Sequence, residues 1–352
     1  MMSLVIGLGA VLVLAILYMI FRIGNLVNVM TGPEKPGGSA NRINALLLLS
    51  FMVVGLTAFF WYSIAHLPEY ELPVASEHGK VTDQLFWITM VIVVAAFSVI
   101  FAAMFWFTYK YQYKEGRKAV FLTDNHMLEL IWTGIPAIVM ALLIFKGLNS
   151  WTEITGPATK EAEVIELMGQ QWNWLSRYPG KDKQLGAYDF RLIDASNEFG
   201  MNLQDDPNSY DDFKSLTLYL PKGREVLLKI RARDVLHSVF LPHFRVKMDA
   251  VPGMSTQFKF VPTKTTEEMR TETGNPNFNY EMACTEICGR GHFSMKFPVV
   301  VLEADAFDKW KAEQETWLKQ NPDYLKFVPE KYRELASIKA GLVTPSVTAA
   351  NQ

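Results

Sequence analysis

The sequence predicts two structural classes in one chain: a bundle of membrane-spanning α-helices, followed by a soluble all-β sandwich or Greek-key barrel. Three observations predict this. Charge is unevenly placed, with residues 1–150 holding 9 of the 34 Lys and Arg and 8 of the 36 Asp and Glu. The same 150 residues contain four long apolar stretches. From about residue 160 the texture changes to short β-branched and aromatic runs broken by turns. Half of all residues are hydrophobic, and they concentrate at the front, which excludes a single soluble enzyme and equally a transporter filling the whole length. The formal charge of −2, with the excess acid in the soluble part, argues against a nucleic-acid partner, which would need a basic face.

The four apolar stretches are Met1–Phe21, Ile43–Ala65, Gln84–Tyr109 and the shorter Leu130–Phe145. A bilayer crossing takes about 20 apolar residues, so each is expected to span. The first lacks a positive n-region and its apolar run exceeds a signal peptide's core, so a retained helix is expected. Basic residues follow the first stretch (Arg22, Lys35, Arg42) and the third (Lys110, Lys114, Arg117, Lys118), whereas Glu69, Glu71, Glu77 and Asp83 follow the second. The positive-inside rule then puts both basic loops in the cytoplasm and the soluble part on the other side. Glu129 opens the fourth helix, where a carboxylate either complements the helix dipole or serves as the mouth of a proton path. The first two stretches carry Gly7, Gly9, Ala10, Gly55 and Ala58, small residues that let membrane helices approach a neighbour closely.

In the soluble part, Val164–Met168, Leu216–Leu220, Glu225–Ile230, Gln257–Val261 and Pro298–Leu302 read as strands, with turns at Pro221–Gly223 and Pro252–Gly253. Ala304–Gln320 has helical periodicity with Phe307, Trp310 and Trp317 on one side, and the stretch to Gln352 reads as an irregular tail. Asp205, Asp206, Asp211 and Asp212 within Asn202–Phe213 read as a solvated loop or as a docking patch for a basic partner.

The chemistry is concentrated in residues 284–295, Cys-Thr-Glu-Ile-Cys-Gly-Arg-Gly-His-Phe-Ser-Met. Two thiols, an imidazole and a thioether within one loop form a soft donor set that suits copper. Gly289 and Gly291 let the loop turn tightly. A structural zinc site would not need Met295. A disulfide or a thiol pair ferrying copper would not need His292 and Met295 at fixed offsets. A further imidazole is expected from elsewhere, with His237 favoured over His243; His66, His78 and His126 are assigned no role. The chain has no C-x-x-C-H, so no haem c is expected in it.

With these residues in view, the chain resembles subunit II of cytochrome c oxidase from about residue 80 to 305. Cys284-Thr-Glu-Ile-Cys288-Gly with His292-x2-Met295 is similar to the family's dinuclear copper A loop. Asp234-Val-Leu-His237-Ser is similar to the segment carrying its first histidine. Lys247-Met-Asp249-Ala-Val-Pro-Gly253, Gly169-Gln-Gln-Trp172-Asn-Trp174 and Glu129-x2-Trp132-Thr-x2-Pro136 also resemble family segments. The resemblance implies a cupredoxin-like sandwich. It also implies copper ligands His237, Cys284, Cys288, His292, Met295 and the backbone carbonyl of Glu286. The Glu286 side chain would reach a magnesium or manganese ion at the boundary with subunit I, Trp172 would be the aromatic where an electron arrives, and Glu129 would sit near a proton-path entrance. Implied partners are subunits I and III, and cytochrome c or a haem c domain of a neighbouring respiratory complex. The implied location is a bacterial inner membrane with the C-terminal domain in the periplasm. Asn173, Val239 and Met254 depart from the family pattern without touching the copper ligands. The expected organisation is two additional helices in 1–66, the family's helix pair in 67–152, the copper A domain in 153–305, and a C-terminal helix and tail in 306–352. A membrane-tethered copper chaperone and the copper A subunit of a nitrogen-oxide reductase are the competing readings.

Overall fold

The computed structural model describes residues 2–31, 39–114 and 116–343. Lys35 and the last nine residues of the expected tail lie outside them. The chain divides into two compact units, Met1–Tyr70 with Met90–Thr133, and Glu71–Thr89 with Gly134–Gln352.

Five helices come first: α1 (Met2–Thr31), α2 (Ser39–Ala65), the one-turn α3 (Leu67–Tyr70), α4 (Glu77–Lys110) and α5 (His126–Thr155). In α1, α2, α4 and α5 the apolar runs expected from sequence are long enough to cross a membrane, and a chain in hydrocarbon must satisfy its backbone internally, which a helix does. The helices overrun the uncharged stretches. Leu130–Phe145 grows to 30 residues in α5, with polar residues hydrogen-bonded to the backbone at both ends. The Asn125 side chain accepts from the Leu128 amide at its start. Ser150, Thr152 and Thr155 donate their hydroxyls to carbonyls four residues earlier at its end. Within the first unit, α2 meets α4 through Phe51–Phe105 and Phe59–Phe97 ring contacts.

The second unit is a sandwich of ten strands. They are β1 (Glu163–Gln170), β2 (Asn173–Tyr178), β3 (Phe213–Ser215), β4 (Leu218–Pro221), β5 (Val226–Ala232), β6 (His237–Leu241), β7 (Val246–Ala250), β8 (Thr256–Phe260), β9 (Tyr280–Cys284) and β10 (Lys296–Leu302). One sheet runs β3-β2-β1-β5-β8 and the other β4-β10-β9-β6-β7. Within each, one pair is parallel, β1 with β5 and β4 with β10. Ile165, Leu167, Trp174, Leu228 and Ile230 from the first sheet, and Val239, Met282, Val299 and Val301 from the second, fill the space between. The short α6 (Thr266–Thr273) begins at a capping box between Thr265 and Glu268.

The sequence reading found β1, β4, β5, β8 and β10 and missed the other five. β2 shows why. Trp174 and Tyr178 face the inner core, yet Leu175 and Arg177 on the other face are also buried. The loop after β2 and the C-terminal segment cover that outer face, so the apolar–polar alternation of a half-exposed strand is absent. There Met168, Leu175, Phe199, Met201 and Tyr210 pack with Trp317, Leu318, Val328 and Ala336 in a second core. Beneath it Glu166 accepts from both Arg177 and Arg231, each at 2.5 Å, and Arg177 also lies 3.2 Å from Asp212.

The acidic stretch Asn202–Phe213 is neither a solvated loop nor a docking patch. Asp211 and Asp212 are buried. Asp206 caps a turn at Asn208 and accepts from the Ala187 amide, and Asp211 accepts from the Asp182 amide. Nor is the chain beyond Gln320 an irregular tail as far as Val343. The helix expected over Ala304–Gln320 breaks into α7 (Ala304–Ala312) and α8 (Trp317–Gln320), and two 3₁₀ turns and α9 (Arg333–Lys339) follow. Trp317, Val328 and Ala336 from this stretch are buried in the second core.

The segment preceding α4 is sewn to the sandwich. Ala75 donates to the His243 carbonyl at 2.8 Å and accepts from Thr263 at 2.8 Å, and Ser76 donates its hydroxyl to the Phe244 carbonyl. Arg245 grips Asp83 with two bonds of 2.7 and 2.9 Å. At the end of α5, Gln257 donates to the Thr155 carbonyl.

Candidate metal centre

β6 begins with His237 and β9 ends with Cys284. The two strands pair so that Val239 lies opposite Cys284, which brings a histidine two residues earlier to the same edge. The loop from Thr285 returns at Met295, whose carbonyl accepts from the Cys284 amide, while Thr285 donates to Ser238 and closes the loop onto β6. Distant stretches of sequence thus share one buried volume.

The donor atoms converge. The two Sγ atoms are 3.9 Å apart, and His237 Nδ1 is 3.9 Å from Cys284 Sγ. His292 Nδ1 and Met295 Sδ lie 3.6 and 3.8 Å from Cys288 Sγ, and the Glu286 carbonyl is 3.2 Å from Cys284 Sγ. His237, Cys284 and Cys288 present ligand atoms all within 4.8 Å of one another. Donors about 2.3 Å from a shared tetrahedral metal are about 3.7 Å from each other, so this spacing fits metal coordination. It does not fit a disulfide, whose sulfurs are about 2.05 Å apart, and both cysteines are free. His237, Cys288 and Met295 are buried, and His292 is half-buried.

The surroundings set proton positions. His237 Nε2 is 2.8 Å from Asp234 Oδ1. A carboxylate there makes Nε2 the protonated nitrogen and leaves the Nδ1 lone pair aimed at the sulfurs, as metal-binding histidines require. Burial opposes ionisation of Asp234, but the Gln171 amide and His237 outweigh it and hold its pKa below the ordinary range. Burial and the neighbouring Cys284 push the Cys288 thiol up to about 11, so without a metal it stays protonated. Ligand binding must displace that proton.

Trp172 is no core tryptophan. It is 42% exposed, and its Nε1 donates to the Cys288 carbonyl at 3.2 Å. A side chain at Gly291 would come within 2.5 Å of the Trp172 ring, and one at Gly289 within 3.0 Å of Gln171. Those glycines admit the β1–β2 turn onto the loop, besides allowing the φ of +115° at Gly289. Sequence reasoning missed Gln171 and gave Asp234 no role. The Asp234–His237 spacing of three was a usable signal; nothing local marked Gln171.

The remaining candidates separate. His243 stands against Phe278 and Tyr280 rather than in the donor group. The Glu286 side chain is half-buried beside the loop. Glu129 lies in the other unit, in the first turn of α5 and 3.5 Å from His126, a position that also satisfies the helix dipole.

Comparison with known proteins identifies the family of the chain. Residues 163–304 match the family model described as cytochrome C oxidase subunit II, periplasmic domain, and residues 67–149 match that of the transmembrane domain of the same subunit. An alternative cytochrome c oxidase subunit 2 of Bradyrhizobium diazoefficiens is 34% identical over 278 residues, covering 77% of this chain and 92% of that protein. A cytochrome c oxidase subunit 2 of Thermostichus vulcanus is 29% identical over 300 residues, covering 76% of this chain and 84% of that one. The solved periplasmic domain of subunit II of cytochrome oxidase of Bradyrhizobium japonicum is similar at 23% identity, with a TM-score of 0.29, over 44% of this chain and 94% of that one. The match to the transmembrane domain precedes the match to the periplasmic domain along the sequence, and this chain belongs to the cytochrome c oxidase subunit II family.

Proposed function

We propose that this chain accepts single electrons from cytochrome c, or from a haem c domain of a neighbouring respiratory complex, at a dinuclear copper A centre. It passes them to the haem of subunit I, where oxygen reduction is coupled to proton pumping. Family membership makes it a membrane subunit of a haem–copper oxidase, an oxidoreductase complex in which it associates with other oxidase subunits. One observation carries the finer reading: two free thiols, two imidazoles, a thioether and a carbonyl converge at 3.2–3.9 Å in a buried volume.

His237, Cys284, Cys288, His292, Met295 and the Glu286 carbonyl are the ligands in this reading. A copper pair held there would supply a one-electron relay whose charge is shared by two metals. The chain's contribution is rigidity and proton control. β6 and β9 fix His237 and Cys284, so little rearrangement accompanies electron transfer. Asp234 keeps the proton on His237 Nε2. Cys284 and Cys288 give up their thiol protons when they become ligands. Trp172, exposed and bonded to the Cys288 carbonyl, is the aromatic where the electron arrives. The Glu286 carboxylate reaches a magnesium or manganese ion at the boundary with subunit I. Glu129 collects protons at the cytoplasmic end of α5. The location is a bacterial inner membrane, the sandwich is periplasmic, and subunits I and III are the immediate partners. A copper chaperone is disfavoured because its thiols would need to be accessible for transfer, and these are buried.

The test is absorption and EPR spectroscopy of the copper-loaded full chain in detergent. Wild type is expected to give a delocalised mixed-valence copper signal and Cys288→Ser to lose it, because one of the two thiol ligands that would hold the copper pair is gone. A wild type without that signal, or a Cys288→Ser variant that keeps it, overturns the assignment.

A further inference from the structure

We infer that Gln171 is a positioning residue that locks the cysteine loop against the histidine strand. The inference rests on the copper reading above. Gln171 sits in the turn between β1 and β2, in the sheet opposite the one that carries the donors. Its main-chain amide donates to Asp234 Oδ2 at 2.6 Å, and the other oxygen of that carboxylate holds His237 Nε2 at 2.8 Å. Its side-chain Nε2 donates to the Cys288 carbonyl at 2.7 Å. One residue therefore reaches both arms of the centre, across 63 and 117 positions of sequence.

The fit is specific. The Cys288 carbonyl accepts from two side chains, and the Gln171 bond, at 2.7 Å, is shorter than the Trp172 bond at 3.2 Å. Gly289 leaves the room that the amide occupies, since a Cβ there would stand 3.0 Å from Gln171 Nε2. Cys288 Sγ is the hub, contacting Cys284 Sγ, His292 Nδ1 and Met295 Sδ. Losing the shorter of the two bonds to its carbonyl loosens three donor distances together. The backbone bond to Asp234 survives any side-chain change at 171, so the His237 arm stays set and the defect is confined to the Cys288 side.

Gln171→Leu keeps the bulk and removes the donor; Gln171→Glu keeps the shape and sets an acceptor against the carbonyl. Both are made in the full chain and compared with wild type by copper affinity in chelator competition, by EPR of the loaded protein, by Cys288 alkylation in the metal-free protein, and by metal-free near-UV circular dichroism. Outer-shell partners of metal ligands contribute about 10–100-fold in affinity. The expected result is at least about tenfold weaker copper binding with an altered copper hyperfine pattern in both variants. Cys288 alkylation should be several-fold faster while the metal-free dichroism is unchanged. Wild-type affinity and hyperfine pattern in both variants overturn the inference. So does loss of the metal-free dichroism in both, which would make Gln171 a residue of the fold alone. If wild type itself takes up no copper, the copper reading fails separately. Alkylation of Cys288 then decides: a faster rate in Gln171→Leu upholds the clasp, and an equal rate overturns it.

Discussion

Cys288 is the residue on which most of the chemistry converges, and its environment makes it unreactive until a metal arrives. Burial, then Cys284, raises its thiol to about 11, against an ordinary value near 8.5–9. At neutral pH it then holds about a hundredfold less thiolate than an ordinary cysteine, and the thiolate is the nucleophile. In metal-free protein, alkylation of Cys288 should therefore be slow and rise about tenfold per pH unit until close to pH 11. Peptide mass spectrometry checks this, and a plateau near pH 8 would contradict it. The same shift makes the metal-free fold lose stability as pH climbs from about 9 towards 11, because the unfolded thiol gives up its proton first. Trp172→Phe should slow oxidation of the electron donor, read by stopped flow, while the copper spectrum stays in place, because the indole N–H is one of two donors to the Cys288 carbonyl. The candidate ligands were legible because four of them lie within twelve residues and their softness names the metal. Gln171 was not, because its partners Asp234 and Cys288 come to it only through the pairing of strands.

Strands were harder to read than ligands, and the buried ion cluster on β1 explains part of that. Glu166, Arg177, Asp212 and Arg231 look like surface charge in sequence, yet all four are buried. The outer layer that buries them is built by chain segments remote in sequence, so no local pattern announces it. Two cations and two carboxylates balance there, and the Gly186 and Phe199 carbonyls take further guanidinium bonds. Removing one member of such a set leaves an uncompensated buried charge, at a cost of about 3–5 kcal/mol. Arg177→Met should lose about that much, measured by denaturant unfolding of the sandwich followed by its tryptophan fluorescence. Burial already lifts Asp212 to about 7 against the pull of Arg177, whereas the unfolded carboxyl ionises near 3.9. The fold therefore binds the proton more tightly between those values, and stability falls as pH rises from about 4 to about 7. Without Arg177 that decline should extend to higher pH, because Asp212 loses the cation that pulls it down. An Arg177→Met variant with wild-type stability at pH 8 would show that the cluster is not coupled in this way.

At the scale of the whole chain, the second unit contains every candidate metal donor and both ends of its own scaffold. The Ala75–Asp83 strip and the end of α5 are bonded to the sandwich within that unit. The division between helices and sandwich was legible from charge distribution, since hydrocarbon excludes charge over whole segments. The C-terminal layer was not, because Trp317, Val328 and Ala336 find their partners only in three dimensions. The first 66 residues supply none of the donors. Among the described residues, a Cβ placed at Gly7, Gly9, Gly24 or Gly55 would meet nothing within 4 Å. Small residues let helices pack closely in lipid, where no hydrophobic drive holds them together. We propose that α1 and α2 dock against a neighbouring respiratory complex that brings its own haem domain. Deleting residues 1–66, with α4 left to insert in its present orientation, should leave the copper spectrum unchanged. The same deletion should release the neighbour on mild detergent extraction, read by native electrophoresis with haem staining. A truncated oxidase that still co-purifies with every partner in full yield would show that these helices do not dock the neighbour, and a lost copper spectrum would show that the metal centre depends on them after all.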